Sequence, residues 1–300
     1  FAVHLDKVRT NEAPEVYTDP EQFFQRTFLT KNLSDLAKEV MRRLSGEIVE
    51  ANAVFNLATQ FGGGKTHALA LLYHLAKNGA KAHSWQGVQN LLTDSGLKSV
   101  PTADVAVFVG TEFDNQQGRG GQDGTPLRRT PWAEIAYQIG GNQALEYVAD
   151  HVDAPGGDVL SNIFPENKPC LVLMDELMNY VSRSRRDGMG NQIYNFLLNL
   201  SEYARSHSNI ALVVSIPASE LEMTAEDHED YTRFQHMLTR LGKHFSMSAE
   251  SEASEIVRRR LFEWDDNKVS QAGKVLLNRD AVQTCQDYAT WVLDKVFTDM

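Results

Sequence analysis

The fold that this chain predicts is a doubly wound α/β domain built on a parallel sheet with helices on both faces. Three features point to it. Apolar runs at residues 53–57, 104–110, 170–174 and 210–215 are continuous rather than alternating, as in strands covered on both sides. Helical patterns separate those runs, which is the order of βαβ units. A glycine loop (Gln60, Phe61, Gly62, Gly63, Gly64, Lys65, Thr66, His67) lies between the first run and the first long helical pattern.

Residues 1–19 are polar and read as irregular. Asp19, Pro20 and Glu21 then open a helix, with Asp as N-cap, Pro at the first helical position and an acid in the first turn. Phe23, Phe24, Phe28, Leu33, Leu36, Val40, Met41 and Leu44 continue at helical spacing until Gly46. Residues 1–46 therefore read as an N-terminal helical extension, with the phenylalanines as packing groups. In the α/β core, residues 47–250, the first strand ends near Leu57 and its helix covers 65–77. A short helix near 88–93, a strand at 104–110 and a helix at 132–150 follow. A buried strand at 170–174, a helix at 192–205 and a strand at 210–215 complete the alternation. Beyond Pro217 the pattern is helical, with a last strand at 244–247. Residues 251–300 read as the start of a helical lid, and the chain as a piece of a longer protein. Residues 112–130 form the one long loop, rich in glycine and carrying Arg119, Arg128 and Arg129. Such loops are mobile or functional: a solvated mobile loop is the first reading of these arginines, and a local contact with a DNA phosphate backbone is the second.

Composition narrows the function classes. The chain has 300 residues, 42% of them hydrophobic, enough for a sizeable core. A net charge of −11 argues against a broad nucleic-acid-binding face. Two cysteines, Cys170 and Cys285, give neither a disulfide framework nor zinc spacing, which fits a reducing cytoplasm. No apolar run approaches the roughly 20 residues of a membrane span. His67 and His74 share a helix face, but no third ligand accompanies them.

The glycine loop has the context of a phosphate site: strand, loop, helix. Glycines let backbone N–H groups approach an anion, and the helix start points its positive end at the same place. Lys65 is placed to reach the β- and γ-phosphates of ATP, and the Thr66 hydroxyl to hold Mg²⁺. The loop departs from the full pattern at Thr59, where a glycine is expected.

Hydrolysis needs more than a phosphate loop. Leu171, Val172, Leu173 and Met174 deliver Asp175 and Glu176 to a strand end. Asp175 is the candidate metal holder and Glu176 the candidate to orient water. An acid pair there could also simply cap a turn. Ser215, at the end of the next strand, is either a γ-phosphate sensor or a capping serine. Arg240 is the candidate arginine finger, acting in trans; Arg233, Arg258, Arg259 and Arg260 lie in the same stretch, with Arg258 as a lid sensor.

The motifs around Pro20 to Thr30, Phe61 to His67, Thr130 to Ala136, Leu173 to Leu177, Val213 to Pro217 and Glu255 to Phe262 carry a resemblance. The chain resembles a family of large prokaryotic AAA+-type P-loop ATPases, classed as a domain of unknown function and associated with phage-defence and restriction-like gene clusters. The resemblance implies an ASCE-type P-loop core and nucleotide contacts from Thr59, Gln60, Phe61, Gly62, Gly63, Gly64, Lys65, Thr66 and His67. In that family the missing first loop glycine is usual. It also implies Mg²⁺ at Thr66 and Asp175, catalysis by Glu176 with Lys65, and self-association or partner subunits. A long partner region after Met300 and a nucleic-acid-related role, with no membrane, complete the expectation. A nucleotide-binding scaffold that switches partner binding without turnover is the alternative.

Overall fold

A computed structural model describes residues 4–46, 51–59, 64–217 and 224–246. Four helices come first: α1 (Leu5–Arg9), α2 (Glu15–Thr18), α3 (Pro20–Gln25) and α4 (Lys31–Leu44). Then follow β1 (Val54–Thr59), α5 (Lys65–Asn78), α6 (Val88–Ser95), β2 (Asp104–Val109), α7 (Pro131–Glu146) and α8 (Gly157–Ile163). The remainder is β3 (Cys170–Asp175), α9 (Leu177–Ser184), α10 (Met189–Ser206), β4 (Ile210–Pro217), α11 (Ala225–Leu241) and β5 (Lys243–Phe245). Residues 1–19 are thus partly helical, not irregular. The stretch from Phe23 to Leu44 is two helices rather than one, because Thr30 caps a new start by accepting from the Leu33 N–H.

The five strands form one parallel sheet in the order β2-β3-β4-β1-β5. Alternation along each strand sorts the core into two layers. Phe55, Leu57, Leu171, Leu173, Ala211 and Val213 face α5, α4 and the N-terminal helices. Val54, Val172, Met174, Leu212 and Val214 face α7 to α11. The helix after β1 therefore lies on one face and the helix after β4 on the other. Neighbouring strands whose connections leave on opposite faces open a crevice at their carboxyl ends, the usual ligand position in such sheets.

The N-terminal helices belong to the core. Leu5, Phe23, Phe24 and Leu36 sit in the same cluster as α5. Arg43 of α4 is buried and donates to the carbonyls of Ile210, Ala204 and His207, closing the end of α10 and the start of β4. The outer edge of β2 is also occupied. Gln138 of α7 accepts from the Val107 N–H and donates to the Val107 carbonyl, both at 2.8 Å. Among the described residues no helix is long and apolar enough to cross a membrane.

Truncating Arg43 would take a donor from the carbonyls of Ile210, Ala204 and His207. Arg43→Ala is expected to lower unfolding free energy by about 3 kcal/mol in urea denaturation. Arg43→Lys is expected to recover only part of it, lacking the planar fork.

Candidate functional site

The site lies where β1 and β3 end. Gly64 has φ +79 and caps the start of α5, so Lys65 and Thr66 open that helix. Nothing obstructs a side chain at Gly64, so its left-handed backbone is what calls for glycine there. Side chains alternate in β3, so Asp175 faces α5 as Leu171 and Leu173 do. The Thr66 hydroxyl donates to Asp175 Oδ2 at 2.7 Å. Burial lowers the Lys65 pKa, and the nearby Asp175 and Glu176 charges oppose that shift.

Glu176 has φ +50 and ψ +38, a left-handed conformation that costs a non-glycine residue on the order of 1 kcal/mol. Strain of this kind collects at functional sites. Its N–H donates to Asp175 Oδ1 at 3.0 Å, and Asn179 Nδ2 donates to its Oε2 at 3.1 Å. Burial, then Asp175, raises the Glu176 pKa; a hydrogen bond with Thr111 and the charges of His4 and Lys65 pull it back. Gly110, at the end of β2, makes this turn possible, because a Cβ there would overlap the Glu176 carbonyl oxygen.

The structure brings Lys65, Thr66, Asp175 and Glu176 together. Ser215 is two residues inside β4, buried, on the α5 face and opposite Leu57. It lies on the strand between β3 and β1, one residue past the Met174–Val214 pair. His67 is on the first turn of α5, stacked on Phe23 with ring centroids 4.6 Å apart. Arg240 is exposed on the last turn of α11, at the opposite edge of the sheet, where Gly242 meets the start of β1. It does not reach the site of its own chain. Arg233 lies over the Tyr194 ring. Gln60, Phe61, Gly62, Gly63, Arg258, Arg259, Arg260 and the proposed lid lie outside the described residues, as does the side chain of Thr59.

The loop arginines require a correction. Residues 112–130 contain a pinned hairpin, with Arg119 and Arg128 bridging its two sides. Arg128 is 4% exposed and pairs with the buried Glu134 at 2.9 Å. Arg119 pairs with Asp6 of α1 at 2.8 Å and with Glu134 at 3.3 Å. Burial would lower the Arg119 pKa, yet Asp6 and Glu134 raise it. Both guanidinium groups are committed inside the fold and do not face a DNA backbone; Arg129 alone of the three is exposed. A buried glutamate holding two arginines cannot be read from loop composition.

Sequence reasoning also missed Thr111, Asn179 and His4 around Glu176. Asn179 had a signal in its spacing, three residues after Glu176, but only once α9 is recognised.

Residues 1–251 match the family model described as DUF499 N-terminal domain, and the chain belongs to that family. No match is found among curated proteins. Among solved structures the chain is similar to one in the structure of Drosophila ORC bound to DNA, at 14% identity and a TM-score of 0.39. That similarity covers 87% of this chain and 50% of the other, so this chain spans about half the length of its structural neighbour.

Gly110→Ala is expected to lose about 1–3 kcal/mol of stability in denaturant titration, by forcing the Glu176 turn away from β2.

Proposed function

We propose that this member of the DUF499 N-terminal domain family binds ATP with Mg²⁺ and hydrolyses it, as an AAA+-like P-loop ATPase module. One observation carries the reading: the 2.7 Å hydrogen bond from Thr66 to Asp175, which joins the start of α5 to the acidic end of β3. A hydroxyl and a carboxylate oxygen fit a small hard cation that keeps several waters. Bound Mg²⁺ supplies positive charge to the β- and γ-phosphate oxygens.

The remaining work falls to side chains and backbone of the chain. N–H groups at the start of α5 and the Lys65 ammonium hold the phosphates. The Glu176 carboxylate orients water and takes its proton as the oxygen attacks γ-phosphorus. The bond to the β–γ bridging oxygen breaks, and ADP and inorganic phosphate leave. Ser215 lies on the same face as Asp175, as a γ-phosphate contact would. Arg240 is assigned to the site of a neighbouring copy, which makes self-association part of the reading. Conformational work in a nucleic-acid-related defence system is the setting that the sequence resemblance suggests.

A second reading, a nucleotide-binding switch without turnover, is favoured by two contacts. Glu176 is tied to Asn179 and Thr111 in this structure.

Turnover of Mg·ATP by wild type, Lys65→Ala and Glu176→Gln in the full-length protein decides between them. Lys65→Ala is expected to weaken nucleotide binding at least about tenfold. Glu176→Gln is expected to keep binding while turnover falls about 10²-fold or more. Undiminished turnover in Glu176→Gln would remove it from the mechanism. Wild-type binding without turnover, with DNA and partners present, would leave the switch reading.

The Glu176 shift also sets a pH dependence. Its folded pKa lies above the unfolded value, so between the two the folded state holds the extra proton and stability falls as pH rises. Above the folded pKa, where that cost is complete, Glu176→Gln is expected to melt higher than wild type. Turnover is expected to rise with pH through a pKa above the ordinary carboxylate range.

A further inference from the structure

His67 and His74 lie seven residues apart on α5, on a face that the N-terminal helices cover. No cluster of three potential ligands that could hold a metal exists among the described residues. The two rings flank Phe23 of α3 instead, at centroid distances of 4.6 Å and 5.1 Å. Each also makes a hydrogen bond to the N-terminal region. His74 Nε2 lies 2.8 Å from the Tyr17 carbonyl, which can only accept, so Nε2 carries the proton. His67 Nε2 lies 3.0 Å from Thr27 Oγ1.

The proton on His67 can be placed as well. The Thr27 hydroxyl has one hydrogen, and that hydrogen goes to the Phe23 carbonyl at 2.7 Å. Thr27 Oγ1 therefore accepts from His67, and Nε2–H is the donor. Thr27 is buried at 4% exposure, so water does not compete for this bond. A chain of contacts thus runs from the end of α3, through Thr27, to the residue that follows Thr66. Shifting the His67 ring shifts the first turn of α5.

We propose that Thr27 is a positioning residue for the nucleotide site, acting through His67 to hold Lys65 and Thr66 in register with the phosphates. The assignment rests on reading residues 59–67 as the nucleotide loop. It follows from where each histidine sits. His67 adjoins Thr66, whereas His74 is about 10.5 Å further along the helix axis. Both bonds fasten the N-terminal helices to α5, but only the first touches the turn that faces the phosphates. Displacements near 1 Å at such a turn are enough to weaken binding and catalysis.

The His74 bond supplies an internal control. Mg·ADP and Mg·ATP affinity, saturating turnover and thermal midpoint would be measured for wild type, Thr27→Val, Thr27→Ser and His74→Phe in the full-length protein. Thr27→Val keeps the size of the side chain and removes the acceptor. It is expected to weaken nucleotide binding about 3- to 10-fold, with turnover at saturation changing less than affinity. Thr27→Ser is expected to restore affinity. His74→Phe is expected to lower the thermal midpoint and leave affinity unchanged. Wild-type affinity in Thr27→Val, or equal weakening in His74→Phe, would reduce Thr27 to a packing residue. Failure of wild type to bind either nucleotide would instead overturn the reading of the site.

Discussion

The arrangement depends on which way one strand faces. Side chains alternate along β3, with Cys170, Val172 and Met174 toward α7 to α11 and Leu171 and Leu173 toward α5. Asp175 inherits the α5 side and so meets Thr66. A one-residue slip of β3 would turn the carboxylate into the opposite apolar layer and every β3 side chain with it. The register against β2 and β4 prevents that slip over the length of the strand. Because β4 lies between β3 and β1, the acid reaches across one strand to the start of α5, above the row that holds Ser215.

The same edge concentrates the costly features of the fold. A buried carboxylate, a half-buried one and a half-buried ammonium group lie near one another, and Glu176 sits in a left-handed turn. The surroundings hold these groups by several contacts. Gly110 lets β2 approach the turn, and Asn179 and Thr111 hold the glutamate side chain. Arg183 of α9 donates to the carbonyls of Gly110 and Phe113, fastening the start of the long loop. Further along, Glu134 pairs with both Arg119 and Arg128, and Asp6 adds a second negative charge and ties Arg119 to α1. The N-terminal helices are therefore fastened to the long loop at Arg119 and to the first turn of α5 at His67.

What could be read in advance follows from the range of each interaction. The strands announced themselves through continuous apolar runs, and Lys65, Thr66, Asp175 and Glu176 through local context. Helix α9 was missed because it starts directly after Glu176, with no spacer to separate strand from helix. Helices α1 and α2 were missed because each is about one turn long and carries few apolar residues. The arginine loop was misread because its partners are distant: Asp6 is 113 residues from Arg119 along the chain. Thr27 and His67, 40 residues apart, have no local pattern that would pair them.

The amide of Gln138 has a consequence beyond holding α7. It occupies the N–H and carbonyl of Val107, hydrogen-bonding groups that an incoming strand would use at the middle of β2. Helix α1 packs on the same strand, and the Val109 carbonyl accepts from the Phe113 N–H. The long margin of the sheet is thus closed by side-chain mimicry of a sixth strand, while among the described residues the other margin is the three-residue β5. A sheet finished in this way resists growth by strand addition. On the β2 side, contact with another molecule would fall to helices and loops, which leaves the sheet free to act as a fixed frame.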